Sequence, residues 1–390
     1  MKSFSIKARW IFDGRRLQDG GVVRIEGGVI AEITSGGNAD INIPNTLLTP
    51  GLVNAHAHLE LSFLRGRLSP NSDFIGWLKA VKELRDEAGE TRLADSATEG
   101  ATEAAHFATT IIVDHTATNV WQKTTPPPIR LVIAQELVNN SPLPSHNPPT
   151  LLVKFALAPH SPYRVTKSSL LEALHLARKN RLLISIHTAE HPAEIRFLKD
   201  GSGPLHHLLS SFGVDLSKFH PPQKTPIAYL HSLGLLTPRT LLIHANYITD
   251  KEVELVRRSG AAVVYCPRSH QFFSHPPHPA PKFLAANIPL LFGTDSLASC
   301  PNFNLLEDLA LAHRACRIAP ETLLICATST AAAFIWDAPL LGHICKGAPA
   351  DLAAFKIPST KHPLNALLSE IPQPFLVCCN GKIVQQTETQ

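Results

Sequence analysis

Through the middle of the chain, apolar residues come in eight short, dense runs rather than in alternation. They are LVNAHAH (52–58), TTIIVDH (109–115), RLVIAQE (130–136), LLVKFALAPH (151–160), LLISIH (182–187), TLLIH (240–244), AAVVYC (261–266) and IPLLFGTD (288–295). Runs this rich in Val, Ile, Leu and Phe predict parallel strands buried on both faces. Helical periodicity lies between many of them, as in RVTKSSLLEALHLARKN, TDKEVELVRRSG, NLLEDLALAHRAC and PETLLICATSTAAAF. Thr249 and Glu252 read as a capping box and Gly260 as a helix stop. The strand–helix rhythm predicts an α/β chain with a (β/α)8 TIM barrel over residues 50–339. Two connections fit it less well. TATNVWQKTTPPPI carries no clear helix, and 191–239 reads as an elaborated loop, a candidate lid, ahead of a helix around IAYLHSLGLL.

The two ends have a different rhythm. FSIKARWIF, GGVVRIEGGVIAEI and NTLLTP read as short strands near the N-terminus. DLAAFKI and PFLVCCNGKIVQQ do so near the C-terminus, where Asn380-Gly381 is a hairpin signal. Strand material at both ends of a different middle predicts one small β-sandwich domain, built from residues 1–49 and 340–390.

Composition narrows function more than fold. The 390 residues carry a net charge of +4, with 44% hydrophobic and 17% charged residues, ordinary for a globular chain. No Lys/Arg run forms a nucleic-acid footprint, so that partner class is not expected. No apolar stretch reaches the roughly 18 residues of a membrane span, and MKSFSIKARWIFDG has no signal-peptide core. Seven scattered cysteines without a C-x-x-C pair fit a reducing compartment, so a cytoplasmic location is expected. A homodimer is compatible with these features. The twenty histidines are what redirect the reading.

Most of the apolar runs end in a residue able to bind a metal or move a proton: His56 and His58, Glu136, His160, His187, His244 and Asp295. Strand ends of a barrel converge on one face, where active sites sit. His56 and His58 are two apart and so point to the same side of a strand. With His187 and Asp295 they make a mixed N/O shell suited to one Zn²⁺, with Fe²⁺ as the alternative, and a water for that metal to activate. The competing reading of His56 and His58 is a pair of structural histidines.

His187-Thr-Ala-Glu190-His191 also matches H-x-x-E-H, a string that puts two zinc ligands and a base on one helix in some peptidases. Here LLISI precedes it, short and apolar, and Pro192 disfavours helix at His191. His187 is therefore read as a strand-end ligand, and Glu190, just past it, as a general acid/base. A helix-start carboxylate is the competing reading of Glu190. For His244, contact with the attacking oxygen competes with a packed core histidine. His191 is expected in a loop and Glu194 in solvent, while Asp114 and His115 are assigned to structure. Lys154 opens its strand and points away from the others, so no lysine-bridged second metal is expected.

TPGLVNAHAHLELS, APHSPY, IHTAE, LLIHANYI, VVYCPRSH and FGTDSLAS occur in the order usual in the amidohydrolase superfamily, which the chain resembles over nearly its whole length. KGAPADLAAFKI is similar to that family's return into its small β-domain. The resemblance implies metal ligands at His56, His58, His187 and Asp295, with Glu190, His244 and Asp295 catalytic. It points to the adenosine/guanine deaminase and chlorohydrolase-like branch. PHSPY and CPRSH, with His270 where related deaminases often carry Asn, are most similar to aminodeoxyfutalosine deaminases of menaquinone biosynthesis.

The implied reaction is hydrolytic deamination of an aminopurine nucleoside. Water attacks C6, Asp295 takes its proton, Glu190 protonates the ring nitrogen and His244 steadies the attacking oxygen. His160 would approach the purine or the water, and Glu136 a ribose hydroxyl. The same shell would serve a guanine, methylthioadenosine or S-adenosylhomocysteine deaminase, or a chlorohydrolase. A non-catalytic scaffold on this fold is the remoter alternative. Substrate choice is expected to depend on 59–75, 136–148 and 191–230.

Overall fold

The N-terminal segments fold into five strands, β1 (Phe4–Phe12), β2 (Leu17–Glu26), β3 (Val29–Thr34), β4 (Ile41–Asn42) and β5 (Thr46–Pro50). After Gly51 come eight parallel strands: β6 (Leu52–Ala57), β7 (Thr109–Thr116), β8 (Arg130–Leu137), β9 (Val153–Pro159), β10 (Leu183–Thr188), β11 (Thr240–His244), β12 (Ala262–Tyr265) and β13 (Leu290–Phe292). The chain returns through β14 (Leu352–Lys356), β15 (Pro374–Cys379) and β16 (Lys382–Gln386). The computed structural model describes residues 3–70, 73–124, 127–138, 150–217 and 219–387.

Strands β6 to β13 pair in sequence order, the arrangement of a (β/α)8 barrel. Val113, Val132, Ala134, Ala156, Ile243, Val264 and Leu291 belong to the cluster that fills it. Ile335 and Trp336 join that cluster from the helix Ala331–Trp336. The ring closes between its first and last strands by a single bridge, Ala57 to Asp295. Around it, the N–H groups of Thr294 and Asp295 donate to the His56 carbonyl at 3.1 and 3.0 Å. Asn54 Nδ2 donates to Thr294 Oγ1 at 2.8 Å. Gly293 is needed at this seam, since a Cβ there would lie 2.8 Å from the His56 Cβ.

The helices behind the strands start and stop as their sequences direct. The helix Asp250–Ser259 has the full Thr249–Glu252 capping box and ends on Gly260 in a left-handed conformation (φ 72°). The helix Lys167–Asn180 is capped by Thr166, whose side chain accepts from Ser169 N–H. The run PETLLICATSTAAAF forms helix interrupted by one wide π turn, Cys326–Thr330.

Both chain ends share one mixed sheet, ordered β16-β15-β14-β5-β1-β2-β3, with β4 beside β1. It folds over a common core that includes Ile6, Val23, Ile25, Leu48, Leu352 and Leu376. Its far hairpins touch: Ala350 N–H donates to Gly28 O at 3.0 Å, and Gly381 N–H to Ala350 O at 3.1 Å. The Asn380-Gly381 turn is as read, both residues at positive φ (50° and 73°). One buried ion pair ties this sheet to the barrel. Arg130 Nε on β8 donates to Asp351 Oδ2 at 2.7 Å.

Three segments differ from the sequence reading. TATNVWQKTTPPPI does carry one helical turn, Val120–Lys123, held because Trp121 is buried and donates to Asp114 Oδ2 at 2.6 Å. Among its described residues the segment 191–239 contains two short helices where the sequence reads as loop, Pro192–Asp200 and Pro204–Ser211, ahead of Pro226–Ser232, the helix expected around IAYLHSLGLL; each is opened by proline at its first position. Phe197, Leu205, Leu208 and Leu209 give the first two a small core with Tyr163. Finally, the helix Pro363–Glu370 separates β14 from β15 and packs Leu364 and Leu367 into the cluster of Leu305 and Leu309.

Candidate active site

The strand ends meet at one rim. His56 and His58 come from β6 and the residue after it, His115 from β7, and His160 from just past β9. His187 comes from β10, His244 from the last position of β11 and Asp295 from beyond β13. His58 Nε2 faces His187 Nε2 at 3.3 Å. Asp295 Oδ1 lies 3.7 Å from His56 Nε2 and 3.8 Å from His58 Nε2. Two nitrogens bound to one tetrahedral zinc stand about 3.3 Å apart, so the His58–His187 spacing suits a shared cation. Both ring nitrogens of His56 are buried with no hydrogen-bond partner among the described residues. A cation would relieve that cost. His187 Nδ1 donates to the His160 carbonyl at 2.8 Å, which leaves the Nε2 lone pair facing the cluster. The donor set fits a divalent metal.

Electrostatics separates the two carboxyl groups beside this cluster. Burial pushes Asp295 up, but His244, His58, the Ser269 hydroxyl and His187 outweigh it, so Asp295 lies below the usual carboxylate range. Ser269 Oγ donates to its Oδ2 and Ser296 N–H to its Oδ1, both at 2.7 Å. Glu190 goes the other way: burial, then the charges of Asp295 and Glu194, push it well above the usual range. The imidazoles are held neutral, His187 lowered to about 4 by burial and by His58. His244 Nε2 lies 3.4 Å from Glu190 Oε1. Ala189, His244, Ala245 and Asp295 all have positive φ (50°, 71°, 50° and 65°), so backbone strain gathers at this rim.

His58, Glu136, His160, His187, Glu190, His244 and Asp295 line one cavity. Glu136 Oε1 is 3.7 Å from His58 Nδ1, and burial raises this carboxyl. His160 stacks on His187 with ring centroids 4.8 Å apart. His115, assigned to structure, donates to or accepts from Ser185 Oγ at 2.7 Å, and its ring centroid is 4.5 Å from that of His56. It therefore forms the floor of the cluster, and its sequence signal, a histidine ending an apolar run, was that of the other histidines. Asp114 is structural: Leu59 N–H and Trp121 Nε1 donate to it. Lys154 reaches the Trp336 carbonyl.

Glu194 is not solvated. It is 1% exposed and turns back to accept the Glu190 N–H at 3.0 Å, and burial pushes it up to about 8. The left-handed turn at Ala189 causes this, since it brings the first turn of the next helix under Glu190. His191 caps that helix, accepting from Ala193 N–H at 3.1 Å. His270 packs against Tyr265, His275 and His278. Sequence reasoning missed Trp77, Lys82, Arg85 and Arg164, which also line the cavity. Charges on a helix otherwise read as a solvated face. Of the segment 136–148, residues 139–148 lie outside the described residues.

Comparison with known proteins agrees with this architecture. The chain is 33% identical over 172 residues to an aminodeoxyfutalosine deaminase from Deinococcus radiodurans, a match spanning 42% of this chain and 40% of that relative. It is 26% identical to a 5-methylthioadenosine/S-adenosylhomocysteine deaminase from Nitratidesulfovibrio vulgaris, over 87% of this chain and 80% of that one. Its fold matches a zinc-bound adenosine deaminase from Xanthomonas campestris, with TM-score 0.79, 21% identity, and coverage of 98% of this chain and 92% of the other. The amidohydrolase family model matches residues 47–384, so the barrel, its returning sheet and the rim just described all fall within one pattern, and the chain belongs to the amidohydrolase family.

Proposed function

We propose that the protein is a metal-dependent hydrolytic deaminase of an aminopurine nucleoside, with aminodeoxyfutalosine as the favoured substrate and ammonia as a product. The observation that carries this reading is the convergence of His56, His58, His187 and Asp295 at one rim with Glu190 and His244 beside them, where Glu190 is pushed above and Asp295 below the usual carboxylate range. Environments that push two acids apart assign an acid and a base.

His56, His58, His187 and Asp295 would hold the divalent cation. Bound there, it would lower the pKa of a water and supply a nucleophile at neutral pH. Asp295 Oδ1 faces the histidines and would take the water's proton, while Ser269 holds Oδ2. Glu190, raised above the usual carboxylate range and lining the cavity, would protonate the ring nitrogen that gathers charge as C6 becomes tetrahedral. The proton taken by Asp295 would then pass to the departing ammonia, while Glu190, left ionised, would take the proton of the C6 hydroxyl as the carbonyl forms. His244, next to Glu190, would hydrogen-bond the attacking oxygen. His160 and Glu136 would contact the purine and ribose from the same wall.

Glu190→Gln keeps the shape of the side chain and removes its transferable proton. It should retain the metal and lose about 10²- to 10⁴-fold in turnover. A fully active variant would remove Glu190 from the reaction. The methylthioadenosine/S-adenosylhomocysteine relatives support a second substrate class on the same machinery. Ammonia release across aminodeoxyfutalosine, methylthioadenosine, S-adenosylhomocysteine, adenosine and guanine separates these. Chloride release from a triazine, without ammonia from any of them, would replace the deaminase reading with a chlorohydrolase.

A further inference from the structure

The cavity that holds the rim cluster has a cationic wall that the chemistry above does not use. Arg85 comes from the helix Phe74–His106, and Arg164 from the loop after β9; both line it. Among the described residues Arg85 forms one long ion pair, with Asp86 at 3.8 Å, and Asp86 is itself bonded to Lys82. Arg164 enters no ion pair among the described residues, and its Nε is buried without a hydrogen-bond partner. Burial disfavours the charged form of Arg164, Tyr163 and Glu136 favour it in part, and the Arg85 charge disfavours it again. Of the acids of the cavity, Glu136 acts on both arginines by its charge without a hydrogen bond or ion pair to either, and the others are engaged elsewhere. Glu60 accepts from the hydroxyls of Thr116 and Thr118, both at 2.6 Å, and Glu190 and Asp295 face histidines.

Two guanidinium groups on one wall, one with a buried unpartnered donor, make a site for an anion. We propose that Arg85 and Arg164 bind a carboxylate carried by the substrate away from its purine, so that the enzyme selects an anionic nucleoside over a neutral one. This rests on the deaminase reading. A carboxylate suits the wall better than a phosphate dianion, because Glu60, Glu136, Glu190 and Asp295 line the same cavity and repel the second charge. Arg164 also borders an outer groove of about 690 Å³ with Phe219 and Tyr229, so its guanidinium stands between the inner cavity and the surface.

The test is kcat/KM of the metal-loaded full chain for aminodeoxyfutalosine, which carries one carboxylate, for its methyl ester, and for adenosine 5′-monophosphate. The acid should be preferred over the ester by about tenfold or more. Arg85→Gln and Arg164→Gln should each cut the acid-to-ester ratio by about 10- to 100-fold, mostly through KM. Arg164→Lys keeps the charge and loses the fork, so it should fall between, and it serves if the glutamine variant does not fold. Equal use of acid and ester by the unaltered enzyme, or a ratio unmoved in the variants, overturns the proposal and leaves the deaminase intact. Preference for the phosphate over the acid also overturns it. No ammonia from any of the three, with ammonia from neutral adenosine, overturns it too. No ammonia from any nucleoside sinks the deaminase reading and this proposal with it.

Discussion

Replacing Asp351 by alanine should strongly destabilise the protein at the surface between the barrel and the terminal sheet. Arg130 Nε and Nη2 donate to the two carboxylate oxygens of Asp351 at 2.7 and 3.2 Å, and both side chains are 3% exposed. Asp351 also accepts from Asn380 N–H at 2.7 Å. In Asp351→Ala the guanidinium stays buried beside Trp336, with the Leu151 carbonyl at 3.1 Å and Asn380 Oδ1 at 3.4 Å as its remaining acceptors. Breaking a buried pair from one side costs about 3–5 kcal/mol, because it strands the other charge. That is a large part of the 5–15 kcal/mol typical of a folded domain (roughly). The double variant Arg130→Met/Asp351→Leu removes both charges and should recover most of the loss. Guanidinium unfolding followed by tryptophan fluorescence reads the transition next to Trp336. A single variant within about 1 kcal/mol of the parent, or a double variant as unstable as the single one, would refute the reasoning.

Glu194 makes stability depend on pH. Its folded-state value of about 8 lies above the ordinary 4.5, so the parent loses stability relative to Glu194→Gln as pH rises between them. The slope approaches about 1.4 kcal/mol per pH unit inside that window. Melting curves at pH 5 and pH 9 check it, and parallel shifts in both proteins would count against the burial argument. Gly293→Ala should push the His56 backbone and weaken metal binding about tenfold, since the added Cβ meets His56 atoms at 2.8–2.9 Å. Competition with a zinc chelator measures this, and unchanged affinity would show that the seam yields freely.

The rim was legible because parallel barrel strands write continuous apolar runs, and a polar residue ending such a run has only one face to occupy. His187 and Asp295 could be placed that way, although far apart in the chain. Glu194 could not, because its burial depends on the left-handed turn at Ala189, which carries no glycine to announce it. That Arg85 and Arg164 line one cavity was hidden for a similar reason, as they come from elements far apart in the chain. The helices of 191–239 did leave a trace. His191 and Thr225 cap the helices opened by Pro192 and Pro226, and the second of these is the helix expected there, but Gly203 ahead of Pro204 offers no capping side chain and that stretch reads equally well as loop.

The single bridge at the barrel seam bears on how the molecule is made. His56 and His58 leave the ribosome early, yet Asp295, which completes the rim, follows β13. The growing chain therefore carries these imidazoles without their acidic neighbour until β13 has been made. Strand β5 waits longer still, because its second neighbour, β14, emerges after the entire barrel. Throughout that interval an unpaired edge is open to other chains. A cation met before Asp295 emerges would find an incomplete set of donors.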